Sequence, residues 1–171
     1  MEFDEDLKPL LERLQTIAKR KVCEKGQFTE FTGLIGELAV CALNDYTWDP
    51  GEGYDAKDKY GNKIQIKARR LQTSKNLKDG RLGRFGSARE PCKTDNYKFC
   101  RGILVVLDCD FEIAAIWKRC REEIECLEDK AKKRKQKPGK LLGLHVSTFI
   151  KKPVRQYYNP DFESLKIKEN L

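Results

Sequence analysis

The chain has 171 residues, of which 39% are hydrophobic and 36% charged, with a formal net charge of +8. That length suits one domain with its own core, and this hydrophobic content excludes a chain that is disordered by composition. So basic a protein favours a polyanionic partner, because each neutralised phosphate releases condensed counterions. No segment approaches the roughly 20 apolar residues that span a bilayer, and the acidic residues 1–6 do not resemble a signal peptide. We therefore predict a cytoplasmic protein with no membrane partner.

Two amphipathic helices open the predicted fold. Apolar residues recur at helical spacing over residues 5–22, with charged residues between them. Thr32 is the predicted N-cap of a second helix, whose apolar face runs from Leu34 to Leu43. Glu37 lies at the edge of that apolar face, so its carboxylate is not predicted to point straight into solvent.

Residues 54–68 have the pattern of a β-hairpin. The turn residues are 58–62, and the strand that follows alternates strictly between apolar and polar side chains. Period 2 therefore sends Gln65 and Lys67 to the same face of that strand. Asp55, on the partner arm, can point toward the same patch.

Residues 69–101 are rich in Gly, Ser, Lys and Arg and are predicted to form a long loop inserted in the domain. They contain ten basic and three acidic residues, which gives 10 − 3 = +7, nearly the whole net charge of the chain. A segment of this kind is typical of a DNA-contacting element, although it could also be a solvated loop. The residues predicted to contact DNA are Arg69, Arg70, Lys75, Lys78, Arg81, Arg84 and Arg89.

The second half of the chain supplies the predicted core of the sheet. The apolar run at 103–107 indicates a buried central strand, followed by a neighbouring strand at 111–117 and a short helix at 121–128. A last short strand is predicted within 141–150, and a tail begins at Tyr157. The predicted fold is an α/β (α+β) single domain over residues 1–171, with a mixed β-sheet flanked by helices.

The hairpin and the preceding helix bring together groups that suit phosphodiester hydrolysis. The carboxylate of Asp55, the amide oxygen of Gln65 and the carboxylate of Glu37 are oxygen ligands of the kind that Mg²⁺ takes, and Mn²⁺ is its expected substitute. The ammonium of Lys67 can orient a water and offset charge that develops on the phosphate. The alternative interpretation is structural: a strand-end carboxylate in Asp55, and an ordinary solvated strand face in Gln65 and Lys67.

The sequence also resembles a known family. Gly33-x-x-Gly36-Glu37, then Gly53-Tyr54-Asp55-Ala56, then Gln65-Ile66-Lys67 resembles the PD-(D/E)xK nuclease superfamily in a Q-x-K variant, over about residues 33–118. The resemblance implies a restriction-endonuclease-like fold, with Asp55 and Gln65 as metal ligands, Lys67 as the catalytic lysine and Glu37 as an accessory acid. The family usually has Glu or Asp where this chain has Gln65, so the site carries one negative charge fewer.

These observations predict a Mg²⁺-dependent endonuclease that hydrolyses double-stranded DNA, most like a small type II restriction enzyme. A homodimer is expected, because a two-fold axis would place two sites on opposite strands. Two alternatives remain open from the sequence. One is a structure-selective nuclease of the junction-resolvase or repair type, and the other is a DNA-binding protein on the same fold that no longer cuts.

Overall fold

The structure is a computed structural model that describes residues 7–25, 29–71, 76–78, 81–83, 85, 98–134, 144–150, 155–158 and 166–168. The helices of this part are α1 (Leu7–Lys25), α2 (Thr29–Asn44), α3 (Arg121–Arg134) and α4 (Val146–Ile150). Its strands are β1 (Thr47–Gly51), β2 (Tyr54–Lys57), β3 (Lys63–Arg70), β4 (Asn76–Lys78), β5 (Arg81–Gly83), β6 (Arg101–Leu107), β7 (Ile113–Cys120), β8 (Leu144–His145), β9 (Arg155–Tyr158) and β10 (Lys166–Lys168).

Six strands form one mixed sheet in the order β1-β2-β3-β6-β7-β9. Only the central pair, β3 and β6, is parallel, in an unbroken register from Ile64 opposite Arg101 to Arg70 opposite Leu107. The other four pairs are antiparallel. The mixed sheet between helices that the sequence predicted is therefore confirmed.

Both faces of the sheet are buried, as alternate residues of β6 make clear. Ile103, Val105 and Leu107 belong to an apolar cluster that includes Ala18 of α1 and residues of α2. The intervening residues of β6 belong to a second cluster, which includes Ile124 of α3 and residues of α4. We call these the α1/α2 face and the α3/α4 face of the sheet. A strand that is buried on both sides needs a continuous run of apolar residues. This run is why β6 could be predicted from the sequence.

Several boundaries differ from the predictions. The second helix begins at Thr29, so Thr32 lies inside its first turn rather than at its N-cap. The strand predicted within 141–150 is only two residues long and is followed at once by α4. Val146 and Phe149 are both buried, and their spacing of three residues suits a helix rather than a strand. The predicted tail contains β9, which pairs with β7 in the main sheet.

The prediction of a long irregular loop at 69–101 was wrong in part. Arg69 and Arg70 complete β3, and the segment contains two further short strands. Of these, β4 pairs in parallel with β10, and β5 pairs with β8. Phe85 and Phe99 are buried in the cluster on the α3/α4 face, so the segment is packed against the domain at two points.

In the part of the chain that the structure describes, no helix combines the length and apolar character needed to cross a bilayer.

Candidate active site

The Asp55 carboxylate is held by two donors from β3. The β2–β3 register pairs Ala56 with Ile64, and its next step places Asp55 opposite Gln65. The Gln65 side chain donates from Nε2 to Asp55 Oδ2 at 2.5 Å, and the backbone N–H of Ile66 donates to the same oxygen at 2.6 Å. Both hydrogen bonds that Asp55 accepts within the described residues end on Oδ2. Its second oxygen, Oδ1, accepts none there.

Asp55 stands where the sheet opens beside β3. The pairing of β2 with β3 covers only Lys63 and Ile64 on β3, whereas β3 continues to Arg70 with β6 on its other side. The N–H of Ile66 would meet the next acceptor of β2 if the pairing continued, and it meets the Asp55 carboxylate instead. The half-buried carboxylate therefore lies where β2 stops pairing with β3.

Glu37 lies on α2, which packs closely on the sheet. A Cβ at Gly36 would lie 2.5 Å from the Ala68 Cβ and 2.9 Å from the Val105 Cγ1, so only glycine allows this approach of the helix to β3 and β6. Glu37 is the next residue, and its Oε2 accepts a hydrogen bond from Trp48 Nε1 of β1 at 3.2 Å. The indole thus fixes one oxygen of this half-buried carboxylate.

Lys67 is positioned by an aromatic ring on the α3/α4 face. Its ammonium lies 6.0 Å from the centroid of the Phe85 ring. That ring is itself fixed, because it stacks on Phe149 at 5.1 Å and the Phe85 N–H donates to the buried Glu128 Oε1 at 2.9 Å. A cation over an aromatic face is attracted by the ring quadrupole, and among the described residues Lys67 forms no ion pair.

The two carboxyl groups influence each other electrostatically. Burial raises the pKa of Glu37, and the nearby Asp55 charge raises it further, while Trp48 and Lys67 act against this increase. Burial likewise raises the pKa of Asp55 above its ordinary value, against the opposing effects of the Ile66 N–H, Lys67 and Gln65. Burial followed by the charges of Glu37 and Asp55 raises the pKa of the Cys41 thiol to about 12. The site therefore carries two acidic groups, with Lys67 as the cation that acts on both.

These residues fit a divalent cation of the hard class. Within the described residues, no three His, Cys, Asp or Glu side chains converge as a ready-made metal cage. Mg²⁺ does not require such a cage, since it keeps several waters and binds through one or two carboxylates together with substrate phosphates. Glu37 and Asp55 are two such carboxylates, and burial raises the pKa of each, so added positive charge near either of them would be favourable. Gln65 turns its amide nitrogen, not its oxygen, toward Asp55.

The residues predicted to contact DNA are not all on one surface. Lys67 and Arg69 share one face of β3 by strand alternation, whereas the guanidinium of Arg70 lies 4.7 Å above the Phe111 ring, in the cluster on the α1/α2 face. Lys78 ends β4 and Arg81 begins β5. The remaining predicted residues, Lys75, Arg84 and Arg89, lie outside the described residues.

The sequence did not indicate the residues that support the site from a distance. Neither Trp48 nor Phe85 belongs to a motif that would single it out in the sequence. Local sequence patterns cannot predict either contact. Trp48 and Glu37 are eleven residues apart in the sequence, and Phe85 and Glu128 are forty-three apart. The one available signal was the Gly36-Glu37 pair, since a glycine inside a helix often marks close packing.

A cavity of about 510 Å³ lies apart from the site, and its lining residues are Asn44, Asp45, Tyr46, Asp58, Lys59, Tyr60, Asn62 and Arg101. It contains two acidic and two basic side chains, so it has no marked charge preference. It shares no residue with the group of Glu37, Asp55 and Lys67. None of the residues predicted to be catalytic or metal-binding lines this cavity.

A scan against protein-family models and a search of curated protein sequences each found no match for this chain.

Proposed function

We propose that the chain is a metal-dependent endonuclease that hydrolyses phosphodiester bonds in double-stranded DNA, on a restriction-endonuclease-like fold. The observation that carries the proposal is the Asp55 carboxylate, which Gln65 and Ile66 hold by one oxygen where β2 stops pairing with β3. Lys67 is close enough to lower the pKa of this carboxyl group, and the Asp55 charge is close enough to raise the pKa of Glu37. Two carboxylates and one ammonium within electrostatic range of one another suit phosphodiester hydrolysis. The net charge of +8 supports a polyanionic substrate.

Each side chain has a distinct role in this proposal. Asp55 offers Oδ1 to Mg²⁺ or Mn²⁺, because Oδ2 is already occupied by Gln65 and Ile66. Glu37 offers Oε1, since Trp48 occupies Oε2. When bound, the ion polarises a phosphoryl oxygen and lowers the pKa of a coordinated water.

The remaining role belongs to Lys67. Its Nζ donates hydrogen bonds to a non-bridging phosphate oxygen and offsets the charge that develops there as water attacks. The contact with Phe85 limits the positions that the ammonium can take, so its donors are arranged before the substrate arrives. A two-fold dimer of the chain would bring two such sites to the opposite strands of a duplex, and we include this homodimer in the proposal.

Cleavage of supercoiled plasmid tests the proposal. The wild-type protein is compared in Mg²⁺, in Mn²⁺ and in EDTA with Asp55→Asn and Lys67→Met. Glu112→Gln and Lys19→Met are surface controls, because those two residues form an exposed ion pair. We expect metal-dependent cutting that both site variants abolish and both controls retain. DNA binding should be preserved by Asp55→Asn and by both controls, whereas Lys67→Met should weaken it, because Lys67 contacts a phosphate. Unchanged cutting by Asp55→Asn would overturn the assignment. Cutting confined to branched DNA would identify the structure-selective alternative.

One observation favours a second candidate, a DNA-binding protein that no longer cuts. The Gln65 amide nitrogen already satisfies Asp55 Oδ2, so this carboxylate is hydrogen-bonded without any metal. That candidate predicts tight DNA binding, no cutting of any DNA form, and no change in the thermal unfolding midpoint when millimolar Mg²⁺ or Mn²⁺ is added. A ligand that binds only the folded state must raise the midpoint, so a metal-induced increase argues against this candidate.

A further inference from the structure

The polar face of β3 carries a row of cations on either side of Gln65. Strand alternation places Lys63, Gln65, Lys67 and Arg69 on the same face, and the unbroken register with β6 excludes a bulge that would turn one of them over. Lys63 and Lys67 are four residues apart, which is about 13 Å along the strand. The Asp55 carboxylate lies beside the midpoint of that interval, opposite Gln65.

The two lysines of this row rest on aromatic rings of the same layer. The Lys63 ammonium lies 4.6 Å from the centroid of the Tyr54 ring, and Lys67 lies 6.0 Å from that of Phe85. Phe85 belongs to the cluster on the α3/α4 face, and Tyr54 packs against that cluster. The rings therefore confirm independently that both ammonium groups project on one side of the sheet.

Lys63 differs from Lys57 and Lys98 in that no carboxylate of the described residues pairs with it. Lys57 forms an ion pair with Asp49 at 2.5 Å, and Lys98 forms one with Glu52 at 2.7 Å. Among the described residues, no carboxylate lies within ion-pairing distance of the exposed Lys63. Within that part of the chain, its exposed ammonium contacts the Tyr54 ring and forms no ion pair.

We propose that Lys63 binds a backbone phosphate of the nucleic-acid strand that is cut, so that this strand runs along β3 from Lys63 past Lys67 to Arg69. The inference rests on the proposed function, because it places the scissile phosphate beside Asp55. A linear polyanion suits the arrangement, since the cations are spaced along one straight strand and the Asp55 carboxylate lies between Lys63 and Lys67. Arg70 is excluded from this row by its stacking on Phe111 at the opposite face.

The test is the salt dependence of DNA binding, measured in EDTA so that no cleavage is needed. Affinity for a short DNA duplex is measured over a range of salt concentrations for the wild-type protein, Lys63→Gln and Lys118→Gln. Lys118 is a matched control, because its ammonium lies 5.7 Å from the Tyr46 ring, in the cluster on the opposite α1/α2 face. Thermal unfolding of each variant verifies that the fold is retained.

We expect Lys63→Gln to weaken binding and to lower the slope of log affinity against log salt by about one, as for the loss of one phosphate contact. Lys118→Gln should leave the slope unchanged. A wild-type slope in Lys63→Gln, an equal loss in Lys118→Gln, or no DNA binding by the wild-type protein would overturn the inference. Failure of the proposed function gives a different result. If the protein never cuts DNA but its salt slope still depends on Lys63, the phosphate contact of Lys63 is retained and the nuclease activity is rejected.

Discussion

Gln65 donates a hydrogen bond to Asp55 across the β2–β3 pair, although the same two positions were predicted from the sequence as joint metal ligands. The Gln65 side chain is only 6% exposed, so its amide cannot exchange this partner for solvent without local opening. The pair therefore makes the metal-free site stable. A carboxylate at position 65 would remove this hydrogen bond, because it has no N–H to donate to Asp55.

Gln65→Glu should destabilise the metal-free protein and strengthen its response to metal. The substitution removes a donor and places a second carboxylate against Asp55, which costs on the order of 1–3 kcal/mol when a buried group is left unsatisfied. Added Mg²⁺ would relieve the repulsion, so its stabilising effect should exceed that in the wild-type protein. The measurement is thermal unfolding near neutral pH with EDTA or with millimolar Mg²⁺. A variant as stable as the wild type in EDTA would contradict the geometry of this pair.

Asp55→Asn should change the dependence of stability on pH. The pKa of Asp55 is raised from 3.8 in the folded protein, mainly by burial, so the folded state binds this proton more tightly than the unfolded chain. The stability that this proton provides is present below the unfolded pKa and is lost as pH rises through the folded pKa. The variant does not ionise, so its unfolding midpoint relative to wild type should increase as pH rises from about 4 to about 7. A relative midpoint that falls over this range would mean that the ionised carboxylate is stabilising.

Periodic patterns predicted the parts of the fold that are set by local spacing. The α2 helix, the hairpin and the central strand β6 repeat apolar residues over enough positions for their type to be clear. By contrast, β1 contains Pro50 and ends at Gly51, residues that are uncommon in strand interiors. Its position at the edge of the sheet explains why the strand tolerates them. An edge strand such as β1 forms because it can pair with β2. The local sequence pattern of β1 contains no information about that pairing.

The candidate site divides in the same way. The placement of Asp55 opposite Gln65 could be predicted, because a turn of known length fixes the register of a hairpin. The donor direction of Gln65 could not, since an amide offers either its oxygen or its nitrogen to a neighbour. The contact of Trp48 with Glu37 depends on how α2 and β1 pack together. Packing between elements that are distant in the sequence cannot be predicted from the spacing of residues along the chain.

Arg70→Gln should weaken the fold without affecting DNA binding, contrary to its prediction from sequence as a DNA contact. Its guanidinium lies 4.7 Å above the ring of Phe111, a buried residue with a φ of 64° whose carbonyl accepts a hydrogen bond from Gln15 Nε2. Positive φ is uncommon for a bulky side chain, so this turn depends on the contacts around it. The loss of the cation–π contact should cost about 0.5–2 kcal/mol in urea unfolding.

The matched variant for Arg70 is Arg69→Gln, on the opposite face of the same strand. It should lower the salt slope of DNA binding in the way expected of Lys63→Gln. If Arg70→Gln lowered the slope as well, the original prediction that both arginines contact DNA would stand, and the division of β3 into two functional faces would be wrong.

Two glycines of α2 should respond in opposite ways to the same substitution. Gly36→Ala would place a methyl group 2.5 Å from the Ala68 Cβ and 2.9 Å from the Val105 Cγ1, so the helix must move away from the sheet. Overpacking of this kind costs about 1–3 kcal/mol. No atom lies within 4 Å of a Cβ built at Gly33, so Gly33→Ala should stabilise the same helix by about 0.5–1 kcal/mol. Because Glu37 follows Gly36 directly, Gly36→Ala should also reduce metal-dependent cutting, while Gly33→Ala preserves it.

Urea unfolding and plasmid cleavage of these two variants together test whether close packing of α2 delivers Glu37 to the site. Equal stability of Gly36→Ala and Gly33→Ala would show that α2 does not need its close approach to β3 and β6. Full cutting by a destabilised Gly36→Ala would mean that the position of Glu37 does not matter to the reaction. Glu37 would then have no part in binding the metal, and Asp55 would be the one carboxylate of this group left to do so.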